Sequence, residues 1–462
     1  MNIRTGMIAA AVTLALAGGA ADAAKKTTTA ASKTTGRMIG VNVVLKQDVS
    51  DRILADIARY GAVRDVVPAL DALTMQAREA DLPKIHALPY VAAANPDAAR
   101  NGAPVDGVAV ADFANGFSTW DLDAVNVTNP ANTRTVAQDG TGVYVAVLDT
   151  GLLDSWRLYF PQQRIASQFG IAFGGGGGEM GTVSSQPNKW EHDQDSHGSH
   201  VTSTIIGYNL RGAPINGVAP MATVIPVKVL NQSGSGWSSV IARGITYVAD
   251  LKLSGKLGSS PVVINMSLGG PSLDAMEKAA IDYAIDAGVI IVASAGNSGS
   301  RGMGFPGAYS PVISVAAAGW TGQWTTPTWW TGNVPDPTNT DDFFIADFSS
   351  RELNGQHLDV AAPGDWIVGP YQVNSGQTSY YYLSGTSMSA PHVAGVAALM
   401  VQKNPGLAQA DVESILKASA VPMGPGCRDV LVPGGASEHV CWDANATGAG
   451  LVTANAALDA TP

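Results

Sequence analysis

From Trp120 onward the chain alternates short, unbroken apolar runs with glycine-punctuated stretches of helical patterning. Runs that are apolar at every position, rather than at every second one, are typical of parallel strands covered by helices on both faces. The strand candidates are Val143–Leu148, Thr223–Val229, Val262–Met266, Val289–Ala293 and Val312–Ala316. The helix candidates are Ser238–Leu251, Ser272–Ala287 and Ser389–Lys403. This alternation predicts a doubly wound α/β domain with a mostly parallel sheet, whose binding site lies at the carboxyl ends of the strands.

A smaller module with a different pattern precedes this domain. Its elements are predicted as a strand over Arg37–Leu45, a helix from Ser50 to Tyr60, strands over Ala62–Val67 and Ala69–Ala77, a short helix over Leu82–Leu88 and a strand over Tyr90–Ala93. The order β-α-β-β-α-β predicts a small α+β, ferredoxin-like domain over residues 37–95. Residues 96–119 are rich in Pro, Asp, Gly and Ala, which predicts a linker and processing region.

The N-terminus has the three parts of a secretory signal peptide. A short basic start, Met1–Arg4, precedes an apolar run, Met7–Leu16, and a small-x-small cleavage pattern, Ala21–Ala23. A membrane anchor is the alternative, but the apolar run is well short of the roughly 20 residues that span a bilayer. We therefore expect a signal peptide over residues 1–23, a flexible linker over 24–36, and a protein secreted to the extracellular space or in transit through a periplasm.

Composition and charge narrow the class of partner. Charged residues make up only 14% of the chain, against roughly 25% in an average domain. The 27 basic and 38 acidic residues give a net charge of −11, which argues against a nucleic-acid binder. Residues 1–100 hold 12 basic and 9 acidic residues, net +3, whereas residues 101–462 hold 15 and 29, net −14. The opposite signs favour two modules that attract each other, with no nucleic acid and, after signal cleavage, no membrane as partner.

Cys427 and Cys441 are the two cysteines of the chain. In an exported protein, the oxidising environment favours a disulfide that closes a short loop, worth about 3 kcal/mol by loop-closure entropy. In a reducing compartment they would be two free thiols. The predicted export favours the disulfide.

Four short segments carry residues suited to nucleophilic catalysis. Asp149 ends an apolar strand in VAVLDTG, and His197 lies at a glycine turn before a helix in DSHGSHVTST. Asn297 follows a strand in VASAGNSG, and Ser387 precedes the predicted helix start in GTSMSAPHVAG. The strands that carry the first and third segments place these residues at the edge of the sheet where a binding site is expected.

These residue types supply the parts of an acyl-transfer site. A serine hydroxyl is a weak nucleophile and needs an adjacent base, for which imidazole is suited because its pKa lies near neutral pH. A carboxylate on the other imidazole nitrogen holds one tautomer and stabilises the protonated ring. The developing oxyanion needs donors already aimed at it, which the Asn297 amide and the Ser387 backbone N–H can supply.

The four segments, in the order Asp, His, Ser, resemble those of the subtilisin-like serine proteases, the subtilases. The resemblance covers most of Trp120–Ala457, and the chain has further motifs in the family's order: Gly217–Pro220, Lys228–Leu230, Gly234–Gly236, Ser267–Gly270, Val360–Gly364 and Gly448–Ala454. It implies a subtilisin-like catalytic domain over residues 120–462 and a secreted serine endopeptidase that hydrolyses peptide bonds of proteins. It also implies that Asp149, His197 and Ser387 form the catalytic triad, with Asn297 as oxyanion donor.

The resemblance further implies how polypeptides bind. The module over residues 37–95 resembles the family's inhibitory propeptide, which chaperones folding, occupies the active cleft and is removed by autoprocessing of the zymogen. Two backbone strands are expected to pair with an extended substrate: Gly234, Ser235 and Gly236, and Ser267, Leu268, Gly269 and Gly270. The pocket for the residue before the scissile bond is expected to be walled by Ser294, Ala295 and Gly296.

The resemblance implies no cofactor for catalysis, and we expect a monomer. It allows structural calcium, for which Asp336, Asp341 and Asp342 are candidates, although a solvated acidic loop explains them equally well. The departures from the family pattern are small: Ser199 stands for the usual Thr, and Ser196 for a frequent Gly.

Two other interpretations remain open. One is a catalytically silent, subtilase-like binding protein. The other is a metal-dependent hydrolase, whose ligands would be His192, Asp193, Asp195, His197 and His200. The second lacks a His-Glu-x-x-His pattern and leaves Ser387 and Asn297 without a role.

Overall fold

The computed structural model describes residues 36–102, 106–109, 118–175, 181–210, 212–331, 334–353, 355–371 and 379–462. The predicted signal peptide and all but the last residue of the linker after it lie outside the described residues. The described residues of Arg37–Pro462 group into one unit.

The N-terminal module forms a four-stranded antiparallel sheet with two helices. Its elements are β1 (Met38–Leu45), α1 (Asp51–Ile57), β2 (Gly61–Val67), β3 (Ala72–Arg78), α2 (Leu82–His86) and β4 (Val91–Pro96). The strand order is β2-β3-β1-β4, and the order of elements along the chain is the predicted one. Alternate β1 and β3 residues, among them Val41, Val43, Leu73 and Met75, are buried under the helices.

The predicted linker and processing region contains two short strands, which the sequence interpretation missed. They are β5 (Ala99–Asn101) and β6 (Asp106–Ala109). Both pair with strands of the C-terminal domain rather than with each other. Their composition gives no apolar run, so only the pairing partners account for their extended conformation.

The C-terminal domain is built from the predicted apolar runs and further short strands. The strands are β7 (Tyr144–Asp149), β8 (Ile171–Gly174), β9 (Ser184–Gln186), β10 (Tyr208–Leu210), β11 (Ala213–Ile215), β12 (Thr223–Lys228), β13 (Ser235–Trp237), β14 (Val262–Met266), β15 (Val289–Ser294), β16 (Ile313–Trp320), β17 (Phe343–Ile345), β18 (Val360–Pro363), β19 (Ile367–Pro370), β20 (Tyr380–Ser384), β21 (Gly426–Leu431) and β22 (Ser437–Trp442). The helices are α3 (Trp120–Ala124), α4 (His197–Ile206), α5 (Ser238–Leu253), α6 (Ala275–Asp286), α7 (Thr386–Lys403), α8 (Gln409–Ser419) and α9 (Ala454–Ala460).

The main sheet has the order β17-β16-β15-β14-β7-β12-β8-β9, with β18 also paired to β16. The pairs from β8 to β16 and the pair of β16 with β18 are parallel, while β9 and β17 are antiparallel at the two ends. The first strand, β7, lies between β12 and β14, so the strand order reverses there. Ligands of doubly wound sheets bind at such a switch point.

Helices cover both faces of this sheet, as predicted. On one face α4 packs against α7, and on the other α5 packs against α6. The parallel strands are buried on both faces, which explains why their sequences are apolar at every position. Pairing of α4 with α7 brings the helix that starts at His197 next to the helix that contains Ser387.

Helix α7 begins earlier than predicted. The expected start at Ser389 treated Pro391 as a first-turn residue, but the helix begins at Thr386 and Pro391 lies in its interior. Ser387 is therefore the second residue of the helix instead of preceding it. Its backbone N–H belongs to the first turn, where amides have no acceptor within the helix.

Cys427 and Cys441 form the predicted disulfide. They face each other across the hairpin of β21 and β22. None of the described helices has both the length and the apolarity to cross a membrane.

Candidate active site

Asp149 and His197 meet in the core of the C-terminal domain. Asp149 is the last residue of β7 and His197 the first of α4, and both side chains are fully buried. Nδ1 of His197 lies 2.9 Å from each carboxylate oxygen of Asp149. The carboxylate thus fixes the proton on Nδ1 and leaves Nε2 as the basic nitrogen.

The backbone around His197 has the close approach that its glycine-rich sequence predicts. A Cβ on Gly198 would lie 2.3 Å from the carbonyl oxygen of Gly151, so the helix start contacts the turn after β7 through glycine. Ser196 has a φ of 81°, a left-handed conformation that costs a non-glycine residue roughly 1–2 kcal/mol. This conformation accounts for glycine being frequent there in the subtilases.

The Ser387 hydroxyl lies in the same region and is nearly buried, with a 3% exposed fraction. It donates to the carbonyl oxygen of Ser267 at 3.3 Å, and no hydrogen bond to His197 is formed. Nε2 of His197 is buried and has no hydrogen-bond partner among the described residues. The structure therefore shows the bond between the Asp149 carboxylate and the His197 imidazole. The Ser387 hydroxyl, however, is hydrogen-bonded to the Ser267 carbonyl and not to the imidazole.

Pro391 has a role in how Ser387 is held. Proline has no N–H, so it cannot donate to the carbonyl of Ser387 four residues earlier in the helix. The side chain of Ser267 donates to this carbonyl instead, at 2.7 Å, and itself accepts from Asn265 at 3.1 Å. The backbone of Ser387 is thereby anchored to the strand segment that follows β14.

Asn297 has the orientation that an oxyanion donor needs. Its Oδ1 accepts from the backbone N–H and the hydroxyl of Thr386, at 2.9 and 2.8 Å. Since these two donors fix which end of the amide is oxygen, the NH₂ group faces the other way. The amide therefore presents a donor beside the start of α7, next to the first-turn amide of Ser387.

A segment of the chain's own N-terminal part lies in this cleft. Strand β5 pairs antiparallel with β13, and Asn101 and Gly269 exchange N–H to O bonds of 3.0 and 2.9 Å. The N–H of Gly102 donates to the carbonyl of Gly234 at 2.8 Å. A Cβ on Gly102 would lie 3.4 Å from Cε1 of His197 and 2.7 Å from the Ser267 carbonyl oxygen. The segment thus lies between β13 and the stretch that contains Gly269, and its last described residue, Gly102, lies above the imidazole.

The segment contacts both of the backbone stretches expected to bind a peptide substrate. One is Gly234 together with β13, which runs over Ser235–Trp237, and the other contains Gly269. That a substrate binds there stays a prediction. The described part of the segment does not reach the predicted pocket wall of Ser294, Ala295 and Gly296, whose role stays a prediction.

Burial and charge act in opposite directions on His197. Burial would lower its pKa, but the charge and hydrogen bond of Asp149 and the charges of Asp195 and Asp193 raise it, and the pKa lies above the ordinary value. Burial raises the pKa of Asp193 to about 7, although Lys228 opposes the shift. Burial also lowers the pKa of Lys228. The imidazole therefore sits in an acidic surrounding that favours its protonated form.

The histidines of the alternative metal site do not converge. Burial lowers the pKa of His200 to about 3, and its Nε2 bonds the carbonyl of Ile367 at 3.0 Å. His192 is exposed. Among the described residues, the one group with metal-ligand spacing is His439 with Cys427 and Cys441, whose sulfurs already form the disulfide.

The calcium candidates lie in or beside residues 320–342, a stretch that also contains four tryptophans. Asp336 accepts from the backbone and hydroxyl of Thr338, and Asp341 is exposed beside Arg428. Trp329 and Trp330 are buried, and Trp324 packs against Trp329.

Two residues of this region were missed by the sequence interpretation. Arg100, in the predicted linker, and Glu277, in α6, form a fully buried ion pair beside the cleft. One signal was available for Glu277: it shares a helix face with Ile281 and Ala284, so an acid lies on an apolar face. Arg100 offered none, because its partner lies 177 positions away.

Comparison with known proteins agrees with this geometry. Residues 140–450 match the Subtilase family. The thermostable alkaline protease of Halalkalibacterium halodurans is 33% identical over 305 residues, covering 66% of this chain and 68% of that protein. Subtilisin DY of Bacillus licheniformis is 35% identical over 290 residues, covering 62% and 86%.

Solved structures show the same fold. The structure titled S41 psychrophilic protease aligns with a TM-score of 0.54 and 28% identity, over 74% of this chain and 99% of that one. Fervidolysin of Fervidobacterium pennivorans, a keratinolytic enzyme related to subtilisin, aligns with a TM-score of 0.61 and 24% identity over 92% of this chain and 61% of that one. The family match covers two thirds of the chain, and its fold is that of the solved subtilisin-like structures. The chain therefore belongs to the subtilases and is a subtilisin-like serine endopeptidase.

Proposed function

We propose that the protein is secreted as a pre-pro-enzyme and hydrolyses peptide bonds of proteins through Asp149, His197 and Ser387. The observation that carries this proposal is the buried bond of Asp149 to Nδ1 of His197, with Nε2 unoccupied beneath an extended peptide segment. The signal-peptide pattern and the disulfide support export, since disulfides persist in oxidising compartments.

In the proposed reaction, the Ser387 hydroxyl turns from the Ser267 carbonyl to Nε2 of His197 and attacks the scissile carbonyl carbon. Nε2 takes the hydroxyl proton, and Asp149 stabilises the imidazolium. The oxyanion of the tetrahedral intermediate accepts from the Asn297 NH₂ group and the Ser387 N–H. His197 then protonates the leaving amine, and water activated by the same nitrogen hydrolyses the acyl-enzyme.

Residues 37–102 act as an intramolecular inhibitor in this proposal, and their contacts support it. Asp97 accepts from the N–H and hydroxyl of Ser239, at 3.0 and 2.6 Å, at the start of α5. The buried amide of Asn42 donates to Asp97 at 3.0 Å and to Asp274, the N-cap of α6, at 2.9 Å. Two helix N-termini of the protease thus bind one face of the propeptide.

The strands on either side of residues 103–105 support a position for the proposed self-cleavage. Ala99–Asn101 pairs with β13, and Asp106–Ala109 pairs with β20, the strand that leads into Ser387. The described segments before and after residues 103–105 thus both pair with strands of the protease. We propose that the first cleavage occurs between Gly102 and Asp106, inside the predicted processing region of residues 96–119.

Replacing Ser387 by Ala tests the proposal. The purified Ser387→Ala chain is expected to hydrolyse no casein and to keep its propeptide joined, because no acyl-enzyme can form. The wild-type chain is expected to gain a new N-terminus between residues 103 and 106. N-terminal sequencing and intact mass measure the new N-terminus and the retained propeptide, and a casein assay measures hydrolysis. Processing of the variant at the wild-type rate would contradict self-maturation.

A further inference from the structure

Arg100 of the propeptide tail and Glu277 of helix α6 form an ion pair in which both side chains are completely buried. Nε of Arg100 donates to Oε1 of Glu277 at 3.0 Å, and Nη2 donates to Oε2. Nη2 also donates to the carbonyl oxygen of Ser272 at 3.1 Å. This is the paired, fork-like geometry that distinguishes arginine from lysine in carboxylate recognition.

Arg100 enters this pocket from the backbone that lies in the cleft. It is the middle residue of β5, opposite Gly236 of β13, and two positions before Gly102 above His197. Neighbouring side chains of a strand alternate in direction; those of Ala99 and Asn101 are exposed while that of Arg100 is buried. The pocket is thus a subsite of the cleft, reached by one side chain of a bound peptide.

The groups that hold the guanidinium belong to the protease and stay after the propeptide is removed. Glu277 lies in the first turn of α6, a helix of 12 residues whose N-terminus favours a carboxylate. Gly270 leaves the space that the arginine fills, since a Cβ there would lie 3.0 Å from Nη1. A bound peptide with an uncharged side chain at this position would bury the Glu277 carboxylate without a countercharge, which is costly.

We propose that Glu277 and the Ser272 carbonyl form an arginine-binding subsite, so that the mature protease prefers protein substrates with arginine where Arg100 lies in the propeptide. This rests on the proposed function, because it takes the tail to occupy the cleft as a substrate does. Arginine is preferred over an uncharged side chain of similar size, since a buried carboxylate left unpaired opposes binding. Lysine binds less well, because one ammonium cannot make the paired contact.

A contrasting explanation is that the ion pair only fastens the propeptide. In that case substitution of Arg100 changes maturation, and the mature enzyme shows no preference for arginine in substrates. Substrate preference of the mature enzyme therefore separates the two explanations, whereas the yield of mature protein does not.

The test uses quenched fluorescent peptides with the sequence of residues 97–107, in which the arginine is kept or replaced by Leu, Gln or Lys. The enzymes are the wild type, R100L, the paired variant R100L/E277L and the control E438Q, whose glutamate is exposed on the β21–β22 hairpin. The mature forms of the wild type and R100L have the same sequence if cleavage follows Gly102. The paired variant avoids a buried Arg100 without its partner during folding. Enzyme concentrations come from titration with a fluorophosphonate, so incomplete maturation does not distort kcat/KM.

We expect the wild type, mature R100L and E438Q to cleave the arginine peptide with kcat/KM about 10²-fold above the leucine and glutamine peptides. Lysine falls between them, and R100L/E277L loses the preference. Equal kcat/KM for arginine and leucine in the wild type, with casein hydrolysis and titration intact, would overturn the subsite while leaving the proposed function. Absence of titration and of casein hydrolysis would overturn the proposed function itself, and the subsite with it.

Discussion

His197 is held from one side, by Asp149, and its other nitrogen faces the cleft. The sequence predicts roles for these residues and for Ser387 and Asn297 because each lies in a short motif with turn-forming neighbours. Of the predicted contacts the structure shows the bond between Asp149 and His197, and the catalytic roles stay predictions. The hydroxyl contact of Ser387 with the Ser267 carbonyl was not, since side-chain torsions depend on atoms far away in the sequence. For the same reason, the buried ion pair of Arg100 and Glu277 became visible only in the folded chain.

We expect the loss of activity at acid pH to begin at a higher pH than an ordinary histidine would give. Asp149 and Asp195 raise the pKa of His197 against the effect of burial, and the enzyme needs the neutral imidazole. Therefore kcat/KM should fall as pH decreases, with a midpoint above roughly 6.5, the ordinary histidine value.

Initial rates on a peptide substrate from pH 4 to 9 measure this midpoint. D195N removes one of the charges that raise the pKa of His197, so its midpoint should be lower than that of the wild type. D154N, at an exposed position, should leave it unchanged. A wild-type midpoint near pH 5 would contradict the assigned base.

Asn297→Ala removes the proposed side-chain donor to the oxyanion. We expect kcat to fall about 10²–10³-fold, the size measured for the corresponding donor of subtilisin. KM should change little, because the bond forms only in the transition state. Steady-state kinetics on one peptide measure both. A loss confined to KM would place Asn297 in ground-state binding instead.

Among the elements, five strands of the main sheet were predicted, whereas β8, β9, β17, β18 and the segments around the site were not. The runs that became β7, β12, β14 and β15 begin and end within one residue of their predicted bounds, because burial on both faces requires apolar residues throughout. Strands β5 and β6 have no such pattern, since their pairing depends on edges supplied by the other domain. Helix α7 was placed three residues late because a proline was taken to mark its first turn.

Because Pro391 lies inside α7, we expect the Ser267 side chain to contribute to the stability of the fold. Ser267→Ala removes the donor to the Ser387 carbonyl and leaves this buried oxygen unpaired, so the free energy of unfolding should fall by about 1–3 kcal/mol. Pro391→Ala restores an N–H four residues after Ser387, and in the S267A background it should recover part of the loss.

Urea unfolding of these variants in the S387A background avoids self-digestion, and a double-mutant cycle separates the coupling from helix propensity. Independent effects of S267A and P391A would contradict the idea that the serine replaces the bond lost to proline.

Over the whole molecule, the charge split and the change of pattern predict two modules that attract each other. The structure groups the described residues of 37–462 in one unit. The sequence does not predict that the contact made by Asp97 at the start of α5 continues along the cleft, with β5 paired to β13 and Gly102 above His197. In the proposed maturation, this segment is the first peptide that the site binds. The proposed arginine subsite would then link maturation with substrate preference, because Glu277 stays with the mature enzyme.

The most direct measurement of the central claim is mass-spectrometric mapping of a fluorophosphonate adduct on the mature wild-type protein and on H197A. The hydroxyl oxygen of an activated serine displaces fluoride from phosphorus, so we expect one adduct, on Ser387, and a labelling rate at least about 10³-fold lower in H197A. A mature protein that hydrolyses casein without an adduct on Ser387, or that is labelled equally fast without His197, would contradict the account.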